Sequence, residues 1–521
     1  MIQTWPVTLP ETFNAATYFV DRNVVEGRGR KVAIECGDQR VTYAEVAERV
    51  NRFANTLRRL GVEPEQRVAL ILLDSPAFAY SFFGAIKAGA VPVPLNTLWR
   101  ARDYQFALND SGARVLVISA ALLGEFSAID RAALRRLAHV IVVGNVPQGS
   151  LSFDTLLAES SPSFEAEPTH RDGVAFWLYS SGSTGSPKGC VHLQHDMVVC
   201  AELYAQRVLG MRESDRCFSV AKLFFAYGLG NALYMPFSVG ATSILMPDAP
   251  AAQRVYEAIE RFRPTLFFSV PTNFAMLLAH KATGKEFDLG SVRHAVSAGE
   301  SLPEALFHRF KERFGVEILD AIGSTECLHM FIANRPGAVK PGSSGQVIPG
   351  YEARIVDDDD RPVPIGEMGN LLIRGDSTCA YYWNQHEKTK RTIQGDWIRT
   401  GDKYTQDADG YFWYAGRTDD MLKPGGIFVS PIEIESALMN HAAVLECAVV
   451  GRDDADGLSK PYAFVVLRDG AAGSPELAAA LQQFVRERLP DYKRPRGVEF
   501  VTSLPKTATG KLQRYKLRAE G

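Results

Sequence analysis

An α/β fold is predicted, with a large N-terminal domain of mixed α/β sheets, a β-rich subdomain at its end and a small α+β C-terminal domain. Three observations predict it. Helical and strand patterns alternate through the first part of the chain. From Val347 onwards β-branched residues, glycines and turn signals such as Asp357 to Asp360 and Asp409-Gly410 become frequent, which suits an antiparallel unit. After Gly416 a further run of strands and helices begins with a strong helix start of its own. At 521 residues and 46% hydrophobic content, the chain can bury more than one core.

The elements follow in order. Thr42 and Glu45 have the spacing of a capping box, and the helix they open can run to Leu60 with Gly61 as its stop. Val68 to Leu73 is a short apolar run. Pro76 can start a helix that leads towards Ala90, and the prolines of VPVPLN keep the next stretch extended. Val174 to Ser180 (VAFWLYS) predicts a buried strand, and the stretch from Val191 (VHLQHDMVVCAELY) predicts a helix. Thr265 to Val270 and Val292 to Ser297 are strand-like. Ser430, Pro431 and Glu433 supply a cap, a first-turn proline and a third-position acid. VLECAVVG and PYAFVVL follow as strands, Ser474-Pro475 opens a helix, and VEFV is a last strand. The closing SLPKTATGKLQRYKLRAEG reads as a basic, solvated tail.

The net charge of -3 gives no sign of a general binder of nucleic acid or membrane surfaces. Seven cysteines are scattered without a CxxC pair, as expected of reduced thiols and not of a disulfide frame or a metal site. No basic leader followed by an apolar run opens the chain, and no apolar stretch approaches the length of a membrane span. A cytoplasmic protein is expected, either monomer or homodimer.

The stretch YSSGSTGSPKG, Tyr179 to Gly189, carries the strongest chemical signal. Small residues let backbone N–H groups converge on an anion. Ser180, Ser181, Ser183 and Thr184 add hydroxyl donors, and Lys188 adds a point charge suited to phosphate. The expected setting, after a strand and before a helix, matches other phosphate cradles. The spacing is neither GxxxxGK[ST] nor GxGxxG, and a plain flexible turn remains the alternative. Asp402 in WIRTGDK is consistent with a carboxylate for two ribose hydroxyls and equally with an Asx turn. Glu326 in GSTE is consistent with a magnesium ligand or with a surface glutamate. Lys511 in TGKLQR taken alone is a lysine beside a glycine turn.

Together the motifs are specific. YSSGSTGSPKG (179–189), SAGE (297–300), DAIGSTE (320–326), WIRTGD (397–402), GRTDDMLKPGG (416–426) and PKTATGK (505–511) resemble the adenylate-forming superfamily in order and spacing, over nearly the whole chain. AKLFFAYGLGN (221–231) and ECLHMFIANRPG (326–337) resemble its bacterial benzoate–CoA ligase branch. The resemblance implies the acyl-adenylate synthetase fold, with a large domain at 1–418, a mobile lid domain at 419–521 and a hinge near Asp419. It implies ATP and coenzyme A as co-substrates, Mg2+ as cofactor, and benzoate or a close aryl carboxylate as the acid.

Residue by residue, it implies that Ser180, Ser181, Ser183, Thr184 and Lys188 hold phosphates. Ala298, Gly299, Glu300, Asp320 and Ala321 line an adenine slot. Thr325 touches the α-phosphate, and Asp402 with Arg417 grips the ribose. Thr184 and Glu326 stand near the metal. Lys511 is the charge for adenylation, since an anion there attacks an anion. In the thiol step Lys423 turns to the site, and Gly425 and Gly426 leave room for pantetheine. The acid pocket falls to Ala226, Tyr227, Gly228, Gly323, His329 and Ile332, with Phe225 packing behind. These stretches hold no extra charge to pair with a second carboxylate or an amine on the ring. A 4-hydroxyl is compatible, because Tyr227 or His329 can bond it. His329 is also consistent with a satisfied histidine at the rim. A carrier protein in place of free coenzyme A is the other acceptor to be tested.

Overall fold

The computed structural model describes residues 7–180, 187–280, 287–422, 429–453, 459–468, 470–506 and 512–519. Ser181, Ser183, Thr184, Lys423, Gly425, Gly426 and Lys511 lie outside the described residues, as does the side chain of Asp419.

Local chemistry starts the elements where the sequence predicts. The helix Tyr43–Arg59 is capped by Thr42, whose hydroxyl accepts from the Glu45 amide while the Glu45 carboxylate accepts from the Thr42 amide. Pro76 opens the helix Pro76–Lys87, and Ser430 caps the helix Pro431–Met439. The buried strands are continuous apolar runs, as strands covered on both faces must be.

Five strands form a parallel sheet in the order Val91–Pro94, Arg67–Ile71, Val115–Ser119, His139–Val143 and Leu151–Ser152. Nine strands form a second sheet, whose centre runs Thr242–Leu245, Arg216–Ser219, Leu266–Ser269, His294–Ser297 and Ile318–Gly323, all parallel. At one edge Met330–Ala333 turns back antiparallel onto Ile318–Gly323. A third sheet joins Val174–Ser180, Lys188–Leu193 and the distant Tyr381–Tyr382. The β-rich subdomain is antiparallel, built on Glu352–Val356, Gly369–Arg374, Trp397–Gln406 and Phe412–Arg417. The smaller C-terminal α+β domain packs the helices Pro431–Met439 and Pro475–Arg486 on the sheet Val444–Asp453, Ser459–Leu467 and Gly497–Phe500.

Two expectations need correction. The helix predicted from Val191 begins at Asp196, because Val191–Leu193 completes a strand paired with Val174–Ser180. Val174–Ser180 is therefore followed at Lys188 by an antiparallel strand and not by a helix. The basic tail is not wholly solvated either. Arg514–Ala519 is helical, Leu517 is buried beside Val450 and Phe464, and Arg514 bonds both Glu435 oxygens at 2.7 Å. A charged, polar string conceals one inward leucine. Among the described residues, no helix is long and apolar enough to cross a membrane.

Candidate active site

The hairpin sets Ser180 opposite Lys188 in register. Lys188, Cys190 and His192 alternate along one strand and so share a face. That face meets the loop after strand Ile318–Gly323. Lys188 Nζ lies 3.8 Å from Glu326 Oε1, and the Ser180 and Tyr382 hydroxyls donate to the same oxygen at 3.4 and 2.8 Å. Lys188 also stands 4.7 Å from the centre of the Tyr382 ring. Glu326 is therefore not a surface glutamate. Burial raises its carboxyl, but the Lys188 charge and the Tyr382 hydroxyl outweigh burial and hold it below its ordinary value. An ionised carboxylate of hard oxygens beside a phosphate-type loop fits magnesium, which takes one or two carboxylates and the phosphates of its substrate. Among the described residues there is no cluster of three or more histidine, cysteine or acidic ligands for a metal held by protein alone.

Asp402 and Arg417 face each other across paired strands, with Arg417 Nη1 2.9 Å from Asp402 Oδ1 and 3.1 Å from the Thr400 carbonyl. Asp320 stands beside Ser297 at the C-terminal ends of parallel strands, where α/β sheets form crevices. Burial pushes its carboxyl up to about 8, against the Leu302 and Ala321 amides. Ala298 and Ala321 are buried next to it, while Gly299 is exposed, and the Thr272 hydroxyl donates to Glu300 Oε2 at 2.8 Å. The predicted adenine-slot residues thus share one end of the nine-stranded sheet.

The predicted acid-pocket residues also meet. The Tyr227 and His329 rings are 5.9 Å apart and tilted, and the Tyr204 ring lies 5.4 Å from His329 on another element. Tyr227 donates its hydroxyl to the Ser269 and Val296 carbonyls, both at 3.1 Å. His329 is 3% exposed, not at a rim, with Nε2 3.1 Å from Asn231 Oδ1. Burial pushes its imidazole down to about 3, so the ring is neutral at working pH. Ala226 and Ile332 are buried. Gly228 and Gly323 owe their missing side chains to the main chain. A Cβ at Gly228 stands 2.2 Å from the Lys222 carbonyl oxygen, and one at Gly323 stands 2.5 Å from that of His329.

Sequence reasoning missed Tyr382, Asn231, Tyr204 and the His192–Asp196 pair. Tyr382 reaches Glu326 because its short strand pairs with Lys188–Leu193. No local spacing links residues so far apart. A helical period could have put Asn231 near Tyr227, but nothing in it shows the meeting with His329.

A strand-borne cation at Lys188, an ionised glutamate beside it, a paired Asp–Arg across two strands and a neutral, buried cluster of rings are parts that nucleotide-dependent activation of an acid can use. The chain belongs to the AMP-binding enzyme family: the family model matches residues 21–383, and that of the AMP-binding enzyme C-terminal domain matches residues 433–511. It is an AMP-forming acid–thiol ligase of the acyl- and aryl-CoA branch of the adenylate-forming superfamily, with ATP and coenzyme A as co-substrates. Among its relatives, the benzoate–CoA ligase of Thauera aromatica is 49% identical over 515 residues, 98% of this chain and 97% of that one. The 4-hydroxybenzoate–CoA/benzoate–CoA ligase of Rhodopseudomonas palustris is 46% identical over 509 residues, 97% and 94% of the two chains. The crystal structure of the anthranilate CoA ligase AuaEII with anthranoyl-AMP superposes with a TM-score of 0.95 at 46% identity, covering 98% of each chain.

Proposed function

We propose that the protein joins a benzoate-type aryl acid to coenzyme A through an aryl-adenylate, releasing AMP and diphosphate. The observation that carries the ring is the neutral character of the pocket walls. His329 is held uncharged by burial, and the Tyr227 hydroxyl is occupied by two main-chain carbonyls. A flat apolar ring suits such walls, whereas a second carboxylate or an ammonium would meet no opposite charge among these side chains. Benzoate is the first expectation. A ring-hydroxylated or 2-amino acid is the second reading, favoured by the named activities of the relatives and by the polar edge of His329.

In the first half-reaction the carboxylate attacks the α-phosphorus of ATP. Lys188, with Ser180, Ser181, Ser183 and Thr184, would hold the outer phosphates, and Thr325 would meet the α-phosphate. Asp402, steadied by Arg417, would accept the ribose hydroxyls. Ala298, Gly299, Glu300, Asp320 and Ala321 would line the base. Glu326, with Thr184, would hold Mg2+, whose charge offsets that of the phosphates. Lys511 would meet the developing charge from a lid domain at 419–521. In the second half-reaction the lid would turn near Asp419, removing Lys511 and presenting Lys423, with Gly425 and Gly426 beside the pantetheine arm.

The test is AMP release with ATP and coenzyme A over benzoate, 4-hydroxybenzoate, 2-aminobenzoate, cyclohexanecarboxylate, cinnamate, acetate and octanoate, with each thioester confirmed by mass. Benzoate is expected to lead by about tenfold in kcat/KM, or about 1.4 kcal/mol. A substituted ring in the lead promotes the second reading, and an aliphatic winner removes the aryl assignment. Adenylate without free thioester points to a carrier-protein acceptor.

A further inference from the structure

We propose that His192, backed by Asp196, is a positioning residue for the adenylation step, holding the Thr325–Glu326 peptide in place. The inference rests on the roles proposed above for Thr325 and Glu326. Both His192 and Asp196 are fully buried. The Thr325 carbonyl oxygen can only accept, so His192 Nε2 carries the proton and donates to it at 2.8 Å. On the other side Nδ1 lies 2.7 Å from Asp196 Oδ2, which also accepts from the Leu193 amide at 3.1 Å. The ring stacks on Phe176 with centres 5.2 Å apart. Three sides of the imidazole are thus fixed.

The loop it holds needs that support. Residues 323–326 read Gly-Ser-Thr-Glu, a run of small and polar side chains whose local support is the Cys327 amide on Ser324 Oγ and the Leu328 amide on the Thr325 carbonyl, both at 3.1 Å. Its main chain is held at both peptides of Glu326. His192 donates to the carbonyl before it, which also accepts from the Leu328 amide at 3.1 Å, and the Cys379 amide donates to the Glu326 carbonyl at 2.6 Å. His192 shares its strand face with Lys188, four residues earlier, which faces Glu326 Oε1. One strand therefore sets the phosphate-facing cation and the Thr325–Glu326 peptide in mutual register. Catalytic groups that must sit within a fraction of an ångström of their working positions depend on such support.

The experiment separates the half-reactions in the full-length enzyme. Adenylation is followed by ATP–diphosphate exchange with benzoate and Mg2+, and thioester formation is followed from supplied benzoyl-adenylate and coenzyme A. His192→Phe keeps a ring on Phe176 and removes both ring nitrogens. His192→Gln keeps an amide donor near the Nε2 position. His192→Phe is expected to lower the adenylation kcat by about tenfold or more and to raise the Mg2+ concentration at half-maximal rate. The benzoate KM and the thioester half-reaction are expected to stay within about threefold, and His192→Gln to recover most of the lost rate.

Adenylation in His192→Phe within about threefold of wild type, or equal loss in both half-reactions, overturns the proposal. If His192→Phe does not fold, Asp196→Asn carries the same comparison. Selective loss of adenylation supports the positioning role, and equal loss in both steps overturns it. A wild-type enzyme that adenylates a different acid refutes the proposed substrate alone, and the variants are then compared on that acid. A wild-type enzyme that adenylates nothing overturns both.

Discussion

His329 lies between two tyrosine rings, 3% exposed, with an imidazole that burial pushes from 6.5 down to about 3. The folded protein leaves it neutral where the unfolded chain takes up a proton. Stability therefore falls as pH drops through the window from 6.5 to about 3. His329→Gln removes this term. The fall in Tm from about pH 7 to about pH 4 is expected to be smaller in the variant, and thermal scans at the two pH values check it. An equal fall removes His329 as a source of acid sensitivity. With its hydroxyl tied to the Ser269 and Val296 carbonyls, Tyr227 would offer its ring to the proposed pocket. Tyr227→Ala is expected to reorder the acids by kcat/KM while the KM for ATP stays within about twofold, and an unchanged order takes Tyr227 off the pocket wall.

The segment Ala221 to Asn231 shows how an element is shaped by close approach. The short helix Ala226–Leu229 passes so near the preceding turn that a Cβ at Gly228 meets the Lys222 and Ala221 carbonyl oxygens at 2.2 and 2.4 Å. Both are main-chain atoms, so neither can swing aside. Gly228→Ala is expected to cost about 1–3 kcal/mol, read as a lowered Tm or denaturation midpoint. Its acid preference should move as well, since the strained turn carries Tyr227. A stable variant with unaltered preference shows that the turn relaxes. The preceding residues are held from outside. Asp74 Oδ1 accepts the Leu223 amide at 3.1 Å, and Lys222 Nζ donates to the Met246 and Asp248 carbonyls, both at 2.6 Å.

Between the two domains, Asp419 and Asp420 sit in the turn Thr418–Asp420. Asp420 pairs with Arg518 and lies 3.9 Å from Arg514 on the C-terminal helix. Ser430 bonds the Ala415 carbonyl across the same junction. The hinge proposed at Asp419 would thus have the C-terminal domain anchored immediately after it. Asp419→Pro restricts the backbone there and is expected to slow thioester formation more than adenylation, with equal slowing arguing against the hinge. Lys511→Ala is expected to lose adenylation almost entirely and to retain most of the thioester step from supplied adenylate. Equal loss in both steps argues against two working orientations. Single-turnover assays of each half-reaction read both variants.

The class of enzyme was legible in contiguous words of sequence, because a phosphate-type loop, a helix cap and a turn are made by neighbours in the chain. Thr42 with Glu45, Val174 to Ser180 and the Ser430-Pro431 start all took their expected forms for that reason. The stretch from Val191 was expected to be helical throughout, but its first three residues belong to the strand Lys188–Leu193, and pairing with Val174–Ser180 decided that. Other features exist only through sheet register and packing: Tyr382 on Glu326, Asn231 on His329, His192 on the Thr325 carbonyl and the buried Leu517. Each joins partners that no local spacing connects. Hydrogen bonds and burial act over a few ångströms in space, and only the folded chain sets which distant residues come that close.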